Sequence, residues 1–146
     1  MTESKAQQLA RIIYGVSACV ALIGLADSLY LTIQHITGES VRCTVTSGCS
    51  EVLGSPYAVV GGVPLALIGA IAYFTVFALA TLAAFQYKLA GRLLMPVVGL
   101  MFLTTLWLLY LQAFVIRYFC QYCLLSALVT TTLTILSIIA ARTQRP

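Results

Sequence analysis

The chain has 146 residues, of which 61% are hydrophobic and only 8% charged. Soluble domains carry about 25% charged residues, so this composition excludes a water-soluble enzyme or a nucleic-acid-binding module and implies one domain, spanning 1–146, built inside a membrane. The net charge of +4 matters less for its size than for where the basic residues fall.

A spanning helix needs about 20 mostly apolar residues. Four stretches qualify: 12–33, 64–86, 93–115 and 119–141. The N-terminus carries Glu3, Lys5 and Arg11, but no short apolar core with a small-residue cleavage site follows. The first run is therefore expected to span and not to be a cleaved leader. It continues through Leu29-Tyr30-Leu31. A polar stretch from Gln34 to Ser50 follows and holds His35, Gly38, Glu39, Arg42, Cys43, Gly48 and Cys49. Residues 50–60 are partly apolar and too short to span. Pro64 suits the first turn of the second helix. Residues 86–92 read as a short polar turn with Lys88 and Arg92, and Pro96 then falls early in the third helix, where it is tolerated. Residues 116–119 lead directly into the fourth, and Arg142 and Arg145 close the chain. The expected fold is an all-α membrane protein, a four-transmembrane-helix bundle with room for a cofactor between its helices.

With both termini cytoplasmic, Lys5, Arg11, Lys88, Arg92, Arg142 and Arg145 lie inside, and Arg42 and Arg117 outside. The positive-inside rule favours this orientation. It puts four of the five cysteines at the extracytoplasmic face, where disulfides form and persist.

Cys120 and Cys123 head the last apolar segment. On a helix they share a face and can close a small redox-active disulfide. The positive end of the helix favours thiolate and with it reactivity. A lone Cys-x-x-Cys also serves zinc sites and thioredoxin-like folds. Its specificity here comes from the membrane boundary and from a second pair, Cys43 and Cys49, on the same side. Four cysteines allow three pairings. Cys43/Cys49 with Cys120/Cys123 is the local one, and a Cys49–Cys120 bond would be a transfer intermediate. Purely structural bridges are the plainer reading, but a Cys-x-x-Cys loop is too short to stabilise much. Four thiolates also make a zinc site, yet the gap between Cys43 and Cys49 is long for half of one, and no metal is expected. Cys19, among Ala18, Val20 and Ala21, reads as an inert, small apolar residue.

Asp27 is the one acidic residue within a spanning segment, where a carboxylate is costly and marks function by default. It is a candidate for proton movement or for a polar pocket wall; the plainer reading is a helix-packing hydrogen bond to Ser28 or Tyr30. A proton-coupled transporter would use Asp27 alone, with no need of two cysteine pairs. His35, the single histidine, is placed to protonate a reduced substrate, or is simply solvated at the interface. Trp107, Tyr110, Phe114, Tyr118, Phe119 and Tyr122 gather toward one end of the third and fourth helices, as aromatic belts do. Gln112, polar within the third helix, is the better pocket candidate.

These residues resemble the vitamin K epoxide reductase family, with its bacterial and archaeal homologues, over most of the chain. The likeness lies in Asp27-Ser28-Leu29-Tyr30-Leu31, in Cys43 and Cys49 followed by Ser50-Glu51-Val52-Leu53-Gly54-Ser55-Pro56-Tyr57, in Gly62-Val63-Pro64-Leu65-Ala66-Leu67-Ile68-Gly69, and in Cys120-Gln121-Tyr122-Cys123-Leu124-Leu125-Ser126-Ala127. The resemblance implies a thiol:quinone oxidoreductase that generates disulfides de novo. A thioredoxin-fold, DsbA-like partner would donate electrons through Cys43, Cys49 would exchange with Cys120, and Cys123 would face the quinone. Ser55 matches a serine near the quinone pocket, on a short half-helix between helices one and two that caps it.

Two departures bear on the substrate. The animal enzymes carry an asparagine early in helix two and a tyrosine four residues after the last cysteine, both against the vitamin K head group. Leu65 and Ala127 stand there in this chain. That argues for menaquinone or ubiquinone; a vitamin K-type naphthoquinone or its epoxide, reduced by the same cysteines, is the alternative. Ser55, Gln112 and Ala127 are the expected quinone-pocket residues, with Asp27 and His35 in proton or polar roles. Many bacterial relatives carry a fused thioredoxin-like domain. The chain stops at Pro146, so the partner is expected to be a separate protein and the membrane the prokaryotic cytoplasmic one.

Overall fold

Inside a bilayer no water is at hand for backbone N–H and C=O groups, so apolar runs of this length close their hydrogen bonds within a helix. The computed structural model describes residues 3–37, 59–116 and 121–144. Helix α1 runs Glu3–Thr37, α2 Leu65–Ala84, α3 Lys88–Tyr110 and α4 Gln121–Gln144. A π-helical turn, Leu111–Ile116, extends α3. All four helices are long and apolar enough to cross a membrane. This is the four-helix membrane bundle implied by the sequence. The expected loop cysteines and half-helix between α1 and α2 fall outside the described residues.

The helix ends differ from the sequence reading. With 35 residues, α1 is about 52 Å long, well beyond a hydrocarbon core of about 30 Å. Gln34 to Thr37, expected to open the polar stretch, form its last turn, where the Thr37 hydroxyl donates to the Ile33 carbonyl at 2.9 Å. Helix α3 starts at Lys88, so most of the expected polar turn at 86–92 is helical and Pro96 lies well inside the helix instead of in its first turns. The chain can turn so tightly because α2 ends in a Schellman motif. Gln86 takes a left-handed φ of 76°. Tyr87 N–H then reaches Leu82 O at 3.2 Å, and Gln86 N–H reaches Ala83 O at 3.0 Å.

Pro64 sits at the N-cap of α2 with ψ 134°, outside the first turn that suited it in sequence. It closes a hairpin that the sequence reading did not contain. Strands β1 (Val59–Val60) and β2 (Val63–Pro64) pair antiparallel, Val60 opposite Val63. Gly61 and Gly62 have φ of 58° and 84°, the two positive values a two-residue turn of this kind requires.

The four helices pack as a ring: α1 lies against α2 and α4, and α3 against the same two. Lipid tails are as apolar as leucine, so close approach of small residues holds such a bundle together. On α1 the inward stripe is Ala10, Tyr14, Ser17, Ala18 and Ala21; on α2 it is Ala70, Tyr73, Val76, Ala80 and Ala83. Two tyrosine rings fill the middle. Tyr14 reaches from α1 to α3, where its hydroxyl would lie 3.1 Å from a Cβ placed on Gly91. Tyr73 reaches from α2 to α4 and is 2% exposed. Ile23, Ile71, Leu100, Leu103 and Leu128 point outward, as a surface bathed in lipid requires.

Polar side chains in these helices mostly bond their own backbone one turn back. Ser17 donates to Ile13 O at 2.9 Å, Thr32 to Ser28 O at 2.7 Å and Thr81 to Phe77 O at 2.8 Å. Such bonds remove the cost of a hydroxyl in hydrocarbon without needing a partner helix.

Candidate functional site

One end of the bundle gathers the C-terminal half of α1, the start of α2, the π-helical turn and the start of α4. Cys123 is the third residue of α4 and is half-buried. A thiol in a first turn lies beside backbone N–H groups that the helix itself leaves unpaired. The neighbouring Tyr122 ring tilts against Tyr30 of α1, with centroids 5.4 Å apart and planes at 43°. Of the other expected cysteines, Cys43, Cys49 and Cys120 lie outside the described residues, as do Ser55, Tyr118 and Phe119.

Along α4, Cys123, Ser126 and Thr130 fall at i, i+3 and i+7, so they share one face. That face meets Tyr73. The Tyr73 hydroxyl donates to the Ser126 carbonyl at 3.1 Å and lies 2.5 Å from Ser126 Oγ and 3.0 Å from Thr130 Oγ1. One phenolic proton serves one acceptor well, so the Ser126 and Thr130 hydroxyls are left to donate to the tyrosine oxygen. The ring itself is seated on Gly24 of α1, where a Cβ would collide with it. One turn further along α1, Ser28 Oγ would lie 3.3 Å from a Cβ on Gly69 of α2. Glycine on each helix thus admits a side chain from the other.

Asp27 lies between Gly24 and Ser28 on α1 and is 8% exposed. Its Oδ2 is fully buried with no hydrogen-bond partner, so this oxygen does not make the expected packing bond to Ser28 or Tyr30. Gln112 is 3% exposed and sits in the π-helical turn, where an extra residue per turn re-aims side chains and often marks a functional site. Ala127 is half-buried one turn beyond Cys123.

Five other residues named from the sequence lie away from this interior. His35 is exposed in the last turn of α1. Cys19 faces outward instead of joining the core its apolar neighbours suggested. Trp107, Tyr110 and Phe114 stack in succession, with centroids 5.7 Å and 5.3 Å apart, on the exposed face of α3. They form a lipid-facing belt and do not line the bundle interior. Tyr73, Ser126 and Thr130 were not singled out by the sequence reading. The spacing of Cys123, Ser126 and Thr130 on one helical face was the available signal.

The vitamin K epoxide reductase family model matches residues 16–138, which takes in all four helices and the whole Cys-x-x-Cys motif. The chain belongs to the vitamin K epoxide reductase family. No match was found among curated proteins. Membership in this family, together with four spanning helices, makes the chain an integral membrane oxidoreductase of a family whose chemistry is quinone-linked in general. Cys123, the described cysteine of the motif, lies on the same face of α4 as Ser126 and Thr130.

Proposed function

We propose that the chain is a thiol:quinone oxidoreductase that makes disulfides de novo for a separate thioredoxin-fold protein on the extracytoplasmic side. The observation that carries this reading is Cys123: a half-buried thiol in the first turn of a spanning helix, within a chain matched to the family across residues 16–138. The partner's two thiols reduce the Cys43/Cys49 disulfide and become a disulfide themselves. The Cys49 thiolate then attacks Cys120, and resolution by Cys43 leaves Cys120 and Cys123 as thiols. Thiolate character at the attacking sulfur sets the rate of such exchange.

The described residues suit a quinone. Gln112 offers a buried amide donor at the Cys123 end of the bundle. Ala127 puts a small, half-buried side chain one turn beyond Cys123. A bound quinone supplies an acceptor for two electrons and two protons. Cys123 would be the donor sulfur, Gln112 would orient a ring carbonyl, as the family resemblance implies for Ser55 too, and the apolar helix faces would exclude water. Leu65 and Ala127 lack the polar groups that hold a vitamin K head group, which supports menaquinone or ubiquinone as acceptor.

The test is spectroscopic. Detergent-purified protein with menaquinone or ubiquinone is given dithiothreitol, and quinone absorbance is followed. The wild type is expected to reduce quinone, and Cys120→Ser and Cys123→Ser to lose the activity. Wild-type turnover in Cys123→Ser would sink the assignment.

A further inference from the structure

Ser17 and most threonines elsewhere in these helices bond their own backbone, whereas Ser126 and Thr130 turn their hydroxyls to Tyr73 across the bundle. One turn along α1 from Gly24, on which the Tyr73 ring rests, Asp27 Oδ2 is buried with no hydrogen-bond partner. Burying such an oxygen unpartnered is costly. Ser126 in turn lies one helical step below Cys123 on the same face. The three observations set a thiol, two hydroxyls and a carboxyl on facing stretches of α4, α2 and α1.

We propose that Ser126, Tyr73 and Asp27 form a proton relay beneath Cys123, with Asp27 as its terminal acceptor. The proposal rests on the redox reading of Cys123 and assigns that site its proton path. As Cys123 gives up its thiol proton, Ser126 Oγ takes it and passes its own to the Tyr73 oxygen. Tyr73 turns its O–H from the Ser126 carbonyl to a water bridging to Asp27 and passes its proton on, and that water protonates the carboxylate. One S–H bond breaks and one O–H bond forms on Asp27. Ser126, Tyr73 and the water end as they began, and no electrons move. Run in reverse, the chain returns the proton to the Cys123 end after the electron pair has left the sulfur. Thr130 donates to the Tyr73 oxygen and positions it.

Few other titratable groups face this path among the described residues. Tyr73 comes from α2, its ring resting on Gly24 one turn before Asp27, and Cys123 comes from α4. Tyr30 and Tyr122 pair with each other, Tyr14 points to Gly91, and α3 contributes the Gln112 amide, which does not titrate.

The full chain, without added quinone, is examined by infrared difference spectroscopy between its oxidised and dithiothreitol-reduced forms. Reduction is expected to raise a protonated-carboxyl band that shifts in heavy water and vanishes in Asp27→Asn. A second measurement follows alkylation of Cys123 against pH in protein whose other four cysteines are serine. Asp27→Asn, Ser126→Ala and Tyr73→Phe are each expected to slow alkylation at pH 7 about tenfold, as a one-unit rise in the thiol midpoint would. Pairing any two is expected to add nothing. Unchanged alkylation profiles in correctly folded Asp27→Asn and Ser126→Ala proteins, with no carboxyl band, would overturn the relay. Both readouts are taken on the thiol with no quinone present. Failure of the redox reading appears separately, as quinone reduction surviving Cys123→Ser.

Discussion

Gly24 and Gly15 lie on the same helix and differ in what a methyl group would meet. At Gly15 nothing comes within 4 Å, whereas at Gly24 the Tyr73 ring occupies the space. Gly24→Ala is expected to lower stability by roughly 1–3 kcal/mol, the usual cost of overpacking. Gly15→Ala is expected to be neutral or to stabilise by up to about 1 kcal/mol through helix propensity. Thermal unfolding in detergent checks both, and equal effects would show that the ring moves aside freely. At this scale the sequence was legible by residue type. Asp27 and the cysteines stand out because an acid or a reactive thiol is rare in a spanning segment. Tyr73 did not, because a tyrosine in an apolar run says nothing about where its ring points. That depends on the register of α1 against α2, which sets Gly24 beneath the ring.

Among the elements, the turn between α2 and α3 carries a measurable strain. Gln86 occupies the left-handed C′ position with φ 76°, where glycine is the usual residue. Gln86→Gly is expected to raise stability by about 1 kcal/mol, since a side chain in this region costs roughly 1–2 kcal/mol. Chemical denaturation in mixed micelles reads that gain; a loss would mean that the glutamine side chain makes compensating contacts. The same turn explains why the start of α3 was misjudged. Lys88 and Arg92 look like loop residues in a hydropathy pattern, but a three-residue Schellman reversal leaves them in the helix and carries Pro96 inward with them. Apolar runs mark where a chain crosses lipid, and helices continue past that boundary until capping geometry stops them. The hairpin at 59–64 escaped for a related reason: two residues per strand leave no alternation to read, and Gly61-Gly62 was the one cue.

At the scale of the molecule, the orientation proposed from basic residues is open to direct test. A green fluorescent protein fused after Pro146 is expected to fluoresce, and an alkaline phosphatase fused there to be inactive. The opposite pattern would put the cysteine pairs on the reducing side and remove the rationale for a disulfide-forming role. The four-helix architecture was legible because it follows from hydrophobic length alone. The ring order of the helices was not, since all four are apolar on nearly every face and no amphipathic stripe shows which sides meet.

Four rods touching only along the sides of a square can lean into a rhombus, lengthening one diagonal while shortening the other. Tyr14 stands as a strut between α1 and α3, its hydroxyl against Gly91. Tyr73 works as a tie between α2 and α4 through Ser126 and Thr130. A strut resists shortening of its diagonal and a tie resists lengthening of the other, which are the two halves of one shear. The frame is therefore braced against leaning in that direction and left free in the opposite one. If the bundle yields sideways during turnover, it will do so by drawing α2 and α4 together, pressing Tyr73 toward the face of α4 that carries Cys123.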